Sequence, residues 1–159
     1  MDKDISFVIT MLENCISLLK ECNQDVDSKL KETEVKENPI RENIVNLARY
    51  YIGKCPYVYG GKDIKKGIDC SGFTQTIYLE CAVQGIPGNW VNSTGQRKWG
   101  KEVLYLNDAR PGDLICYDGH VAIYVGNNKI VDAGNSVKGI TERSVNIMPI
   151  RSIRNVIGD

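Results

Sequence analysis

The chain has a single histidine, His120, and no two of its six cysteines are spaced as CxxC. Zinc centres draw on clusters of those two residue types, so no metal is expected, and nothing else asks for a cofactor. No apolar run approaches the ~20 residues that cross a bilayer, so no membrane span is expected. Net charge is also missing, since 20 basic and 20 acidic residues cancel. Without a basic excess there is no electrostatic footprint for nucleic acid or an acidic membrane. The opening residues also make a poor secretory leader. "MDKDISFVITMLENC" opens on mixed charges, is interrupted by Glu13, and leads to no small-residue cleavage site. The expectation is cytoplasmic synthesis without a signal peptide. Cys15, Cys22, Cys55, Cys70, Cys81 and Cys116 are then expected to be reduced thiols.

What is present suffices for one ordinary domain with its own core and one extra element. Residues 4–24 repeat Ile5, Val8, Ile9, Leu12, Ile16 and Leu19 at spacings of three and four, which predicts an amphipathic helix. "NQDVDSKLKETEVKENP" follows as a charged tail or linker. The boundary divides residues 1–38, a helix and linker, from a main domain over 39–159. The apolar stripe of that helix needs a cover: the main domain, a second copy in a homodimer, or another partner.

A second helix is predicted over 40–53, with Ile44, Leu47, Ala48 and Tyr51 on one face and Gly53 as its stop. A third is predicted over 70–83, with Phe73, Ile77 and Cys81 inward and Gly85 at its end. "CPYVYGGKDIKKG" reads as a loop, and "PGNWVNSTGQRKWG" as a polar loop with room for one short helix. From residue 113 short β-rich runs are split by "DG" and "GNN", which are hairpin signals. "SVNIMPI" and "SIRNVI" are expected to add strands. Helices come first and an antiparallel sheet later, so the fold class is α+β.

Chemistry concentrates in "IDCSGFTQ". Asp69 suits an N-cap, which makes Cys70 the first helical residue. A thiol there feels the positive end of the helix dipole, which favours the thiolate nucleophile, and its own N–H is free to face an oxyanion. The competing reading is a small buried hydrophobe. A cysteine nucleophile needs a base, and His120, in "GHVAIYVG", is the only imidazole on offer. The next strand carries Asp132 between Val131 and Ala133, where a carboxylate is costly unless paired. As a hairpin neighbour it would reach His120 and orient it, with Asn135 as the fallback.

"PYVYGG", "DCSGF", "RPGDLI", "GHVAIYVG" and "KIVDAG" together resemble, in order and spacing, the NlpC/P60 cysteine peptidases, which cut peptidoglycan stem peptides. The likeness spans roughly residues 41–150. It implies a papain-like α+β domain, with helices packed on a small antiparallel sheet, here preceded by the extra N-terminal helix. It implies Cys70 as nucleophile and His120 as base. The third position usually holds His and here holds Asp132, a chemically sensible exchange. Tyr57 is implied as an oxyanion donor. Asp69 and Ser71 match groove positions, with capping as the alternative, and Gln96 matches a family Gln followed by a Gly and is implied among the substrate contacts. Arg110, in "RPGDL", is expected at the surface rather than on a substrate carboxylate.

The resemblance implies hydrolysis of the amide from the D-glutamate side chain to diaminopimelate or lysine. A CHAP-like muramoyl–alanine amidase is a relative with the same residue order, and a non-catalytic wall-binding module is the reading from another class. Retention of both Cys70 and His120 speaks against the module. The implied partner is the stem peptide and the implied site of action is the bacterial cell wall. A phage or mobile-element lysin is among the settings that fit the expectation of no signal peptide.

Overall fold

The computed structural model describes residues 38–159 other than Ser136, with Asn135 by its backbone alone, and also Leu12, Ile16, Leu19 and Lys20. It divides into two units, Met1–Glu37 and Asn38–Asp159. In the first, those four residues are helical, and Leu12, Ile16 and Leu19 are at least half exposed. The remainder of the expected N-terminal helix, the linker, Cys15 and Cys22 lie outside the described residues.

The second unit begins with α1 (Pro39–Tyr50), started by the Asn38 side chain, which accepts from Ile40 N, and by Pro39 in the first turn. The expected helix over 40–53 ends three residues early. Tyr51 caps α1, and the chain turns through Lys54, whose N–H bonds the Tyr51 carbonyl. A small antiparallel pair follows, β1 (Lys62–Asp63) and β2 (Gly67–Ile68), inside what the sequence presents as a loop. Then come α2 (Cys70–Glu80) and one turn of helix, α3 (Ser93–Gln96).

The main sheet has six strands: β3 (Lys101–Val103), β4 (Leu114–Cys116), β5 (Val121–Gly126), β6 (Lys129–Asn135), β7 (Gly139–Ser144) and β8 (Ser152–Asn155). Their order is β3-β8-β4-β5-β6-β7, and every pairing is antiparallel. Asn127 and Asn128 both take positive φ between β5 and β6, the conformation that a tight two-residue hairpin requires.

Alternation along the strands divides the core. Val121, Ile123, Val125, Val131 and Ala133 face α1 and α2, packing on Ile44, Ala48, Phe73, Ile77 and Tyr78. Ile115, Ala122, Tyr124, Ile130 and Ile153 face the other way, under Val145, Leu106 and Ile150. The α+β expectation and its antiparallel sheet hold.

Three local expectations are corrected. α2 stops at Glu80 rather than 83, and Ala82 rather than Gly85 takes the first left-handed position, at φ 55°. Val83 N–H bonds the Tyr78 carbonyl across that turn, and the Val83 side chain is buried. Core packing therefore bends the chain before glycine is reached. "SVNIMPI" is not a strand: β7 ends at Ser144, and Val145–Ile147 is a short 3-10 turn. β3 follows directly after the polar loop, where the sequence raises no expectation of a strand.

A buried network ties α1 to the sheet. Arg41 bonds Asp113 at 3.0 Å, Asp159 at 2.6 Å and the Pro111 carbonyl at 2.7 Å. Asp113 also accepts from the N–H of Arg110, which fixes the "RPGD" turn that feeds β4.

Candidate active site

The first turn of α2 is built around Asp69. Its Oδ1 accepts from Gly72 N–H at 2.7 Å and from Ser71 Oγ at 2.9 Å, and its Oδ2 accepts from Gly60 N–H at 3.1 Å. One carboxylate thus caps the helix and holds the preceding loop against it. Gly72 is needed for that approach, because a Cβ there would lie 2.6 Å from the Gly61 carbonyl oxygen. Cys70 follows as the first helical residue, 7% exposed, with that small opening on a groove. A first-turn N–H has no partner within its helix, so that of Cys70 is free to donate to a group bound at the thiol.

The base arrives from the sheet. "YDGH" makes the turn between β4 and β5, closed by Tyr117 N–H to the His120 carbonyl at 2.8 Å. Arg97 braces this turn, donating to the Tyr117 carbonyl and pairing with Asp118 at 3.5 Å. His120 is thereby held at the entrance of β5, beside Cys70, whose sulfur raises its proton affinity. Its Nε2 meets Asp132 Oδ2 at 2.5 Å, which leaves Nδ1 for the thiol. The Tyr117 ring lies against the imidazole, with centroids 5.9 Å apart.

Asp132 is fully buried on β6 and alternates with Val131 and Ala133 onto the Ile130 side of the sheet. Arg143 of β7 grips it with two bonds, Nε to Oδ1 at 2.9 Å and Nη2 to Oδ2. Burial alone would raise the Asp132 carboxyl, but the bonds from His120 and Arg143 outweigh it and hold the group below its usual range. Burial likewise pushes His120 down, yet the bond to Asp132 and the Cys70 sulfur beside it win and raise it to about 9. The imidazolium is the resting form at neutral pH, as an acid that must protonate a leaving amine requires.

The groove beside Cys70 holds about 370 Å³. Tyr57, Ser71 and Asp69 line it, as do Tyr59, Lys62, Trp90 and Asn92. Tyr57 lies near the thiol: burial first, then the charges of Cys70 and Asp69, push its phenol up, so it remains a donor at neutral pH. Tyr59 stands almost wholly exposed at the rim, and the Lys62 ammonium lies 5.9 Å from the Trp90 ring centroid.

Gln96, expected among the substrate contacts, is instead fully buried behind the wall. Its Oε1 accepts from Thr74, while its Nε2 donates to the Ser71 and Val91 carbonyls. Arg110 pairs with Asp159 at 2.7 Å and lies outside the groove. The side chain of Asn135 is outside the described residues. Among the described residues, no group of three His, Cys, Asp or Glu side chains is placed to hold a metal, and no helix is long and apolar enough to cross a membrane.

Arg143 is the site residue that sequence reasoning missed. A signal existed, since a buried carboxylate needs a cation and the following strand, "GITERS", supplies one. Tyr59, Lys62 and Trp90 gave no such signal, because only the folded loops bring them to one wall.

Comparison with known proteins identifies the family. The sequence profile of the NlpC/P60 family matches residues 53–154, well over half of the chain. Gamma-DL-glutamyl hydrolase of Bacillus subtilis (strain 168) is 32% identical over 114 residues, covering 70% of this chain and 25% of that protein. Murein DD-endopeptidase MepS/Murein LD-carboxypeptidase of Escherichia coli (strain K12) is 38% identical over 91 residues, covering 54% of this chain and 46% of that protein. The chain therefore spans less than half the length of either curated relative. The solved NlpC/p60 domain of peptidoglycan hydrolase SagA aligns at TM-score 0.59 and 33% identity, covering 72% of this chain and 97% of that one. On the profile match, and with a thiol at a helix mouth beside a sheet-borne imidazole, the chain belongs to the NlpC/P60 family of cysteine peptidases.

Proposed function

We propose that this chain is a peptidoglycan hydrolase, a cysteine endopeptidase that cuts stem peptides at the amide joining the D-glutamate side chain to diaminopimelate or lysine. One observation carries the hydrolase reading: the only imidazole in the chain stands beside Cys70, which among the described residues is the one cysteine at a helix N-terminus, and Asp132 holds its far nitrogen. A wall-binding module would have no use for that arrangement.

The steps follow from the groups in place. The Cys70 thiolate attacks the scissile carbonyl carbon, and the oxygen gains charge. The Cys70 N–H and the Tyr57 phenol are the donors for that oxyanion. His120 gives its proton to the departing amine, leaving a thioester on Cys70. A water then attacks the thioester, His120 takes its proton, and the acid product leaves with the thiolate restored. Asp132 keeps the imidazole in one orientation and stabilises its charged form throughout.

Support for the bond is chemical. Asn92, Ser71 and Lys62 along the groove suit a stem rich in carboxylates and amides. The name of the Bacillus relative specifies a γ-DL-glutamyl linkage, whereas that of the Escherichia relative specifies a DD-endopeptidase and LD-carboxypeptidase of murein. Sacculi digested with the protein and resolved by mass spectrometry decide between them. Fragments ending at D-glutamate and still joined to sugar are expected. Release of whole stems from muramic acid would show an amidase, and cleavage only at cross-links or stem termini would move the site of attack.

A further inference from the structure

Asp132 aids the base but also threatens it. A buried carboxylate serving one partner holds an imidazolium proton tightly, and too weak an acid protonates a leaving amine slowly. Here the charge is divided. The oxygen that receives His120 Nε2 also accepts from Arg143 Nη2, while Arg143 Nε takes the other oxygen. Such a two-pronged grip needs the planar fork of a guanidinium.

The backbone is arranged for it. Arg143 lies opposite Ile130 and Asp132 lies opposite Thr141, so the two charges are diagonal neighbours on one face of the β6–β7 ladder. Gly134, the next residue on that face of β6, leaves room: a Cβ there would lie 3.2 Å from Arg143 Nη2. Side-chain exposure is 25% for Arg143 and 0% for Asp132, so the cation keeps some solvent while the anion keeps none.

We propose that Arg143 is a positioning residue of the active site, which fixes Asp132 as an ionised acceptor for His120 and takes a share of its charge, so that the imidazolium can release its proton. This rests on the cysteine-peptidase reading but not on the bond that is cut. The groups facing His120 are Cys70 from α2, Asp132 from β6 and Tyr117 from the end of β4. Those facing Asp132 are His120, Arg143 and Tyr117. Burial and the Asp132 charge keep Tyr117 neutral, so the balance is set by the ions.

Because His120 is the only histidine, its ring resonances report the balance directly in an NMR titration. In the parent the imidazole should titrate near 9. Arg143→Met should move it upward by on the order of one unit, because a nearby positive charge is lost. Arg143→Lys, which restores the charge, should bring it back toward the parent. With a stem peptide, Arg143→Met should lower kcat roughly tenfold at little change in KM, and the alkaline limb of the rate profile should move up with the titration. The kcat loss should vanish in an Asp132→Asn background, as it must for a residue acting through another. A titration that is unchanged or moves down in Arg143→Met overturns the proposal. If that variant does not fold, unequal kcat for Asp132→Asn and the Asp132→Asn/Arg143→Met pair does so. A parent that titrates as expected but cuts no stem peptide would count against the proposed function alone.

Discussion

His120 and Asp132 meet between neighbouring strands with Nε2 and Oδ2 2.5 Å apart, the carboxylate wholly buried and the imidazole nearly so. Each changes the proton affinity of the other, and the pairing therefore appears in the pH dependence of stability as well as in catalysis.

His120 is raised from its usual 6.5 to about 9. Its contribution to stability is therefore full below pH 6.5 and is lost as pH rises through about 9. Asp132 is lowered, so its contribution is present above its usual value and is lost as pH falls toward the folded one. Urea unfolding of the parent should show stability declining by on the order of 3 kcal/mol between pH 6.5 and 9. His120→Ala should flatten that decline. The thiols of Cys55 and Cys116, raised by burial above their usual 9.0, add little within this window.

Cys70→Ser and His120→Ala should each remove nearly all hydrolysis of a stem peptide while circular dichroism shows the fold intact. The double variant should be no worse than either single one, because nucleophile and base act as a unit. Substantial turnover by either single variant would overturn the mechanism.

Asp132→Asn should lower kcat about tenfold to a hundredfold with KM little changed, since the amide still fills the space but no longer stabilises the imidazolium. The His120 titration should fall toward its ordinary value. Turnover equal to the parent would assign the orienting role to another group.

Asp113 is 1% exposed and answers the buried Arg41 at 3.0 Å. Asp113→Ala leaves that guanidinium with a smaller set of acceptors, including Asp159. A loss of about 3–5 kcal/mol is expected in denaturant unfolding, as when one partner of a buried ion pair is removed. Cleavage by the fraction that remains folded should be normal, because neither residue lines the groove.

Gln96 joins Thr74 and Ser71 of the catalytic helix to Val91 of the groove wall. Gln96→Ala should destabilise the domain by about 1–3 kcal/mol through unpaired buried groups. It should also raise KM more than it lowers kcat, since the wall loosens while the dyad stays in place. A steady-state comparison of the two parameters checks this.

Local chemistry made much of the site legible in the sequence. Asp69 caps a helix wherever its backbone is extended, so "DCSG" marked both the start of α2 and the place of Cys70. "DG" and "NN" each form tight turns by their own backbone preferences, so they marked the hairpins that carry His120 and Asp132. A lone imidazole left no choice of base, and a carboxylate in an apolar strand advertised a need for a partner. The short strands β1, β2 and β3 gave no such sign, because two or three residues of mixed polarity become strand only when a neighbour pairs with them.

What the tertiary structure decided was the use of each polar group, because that depends on which elements come together. Gln96 looked like a contact for substrate until the folded loop buried it against Thr74 and Ser71. Arg143 goes unnoticed in the sequence, and only the diagonal register of β6 and β7, with the space at Gly134, brings its guanidinium onto Asp132. Sequence determined where the thiol, the base and the carboxylate stand along the chain, since capping and turn preferences act over a few residues. Their alignment from α2 to β5 to β6 to β7 was decided by sheet register and helix packing, which join residues far apart in the chain and leave no local mark.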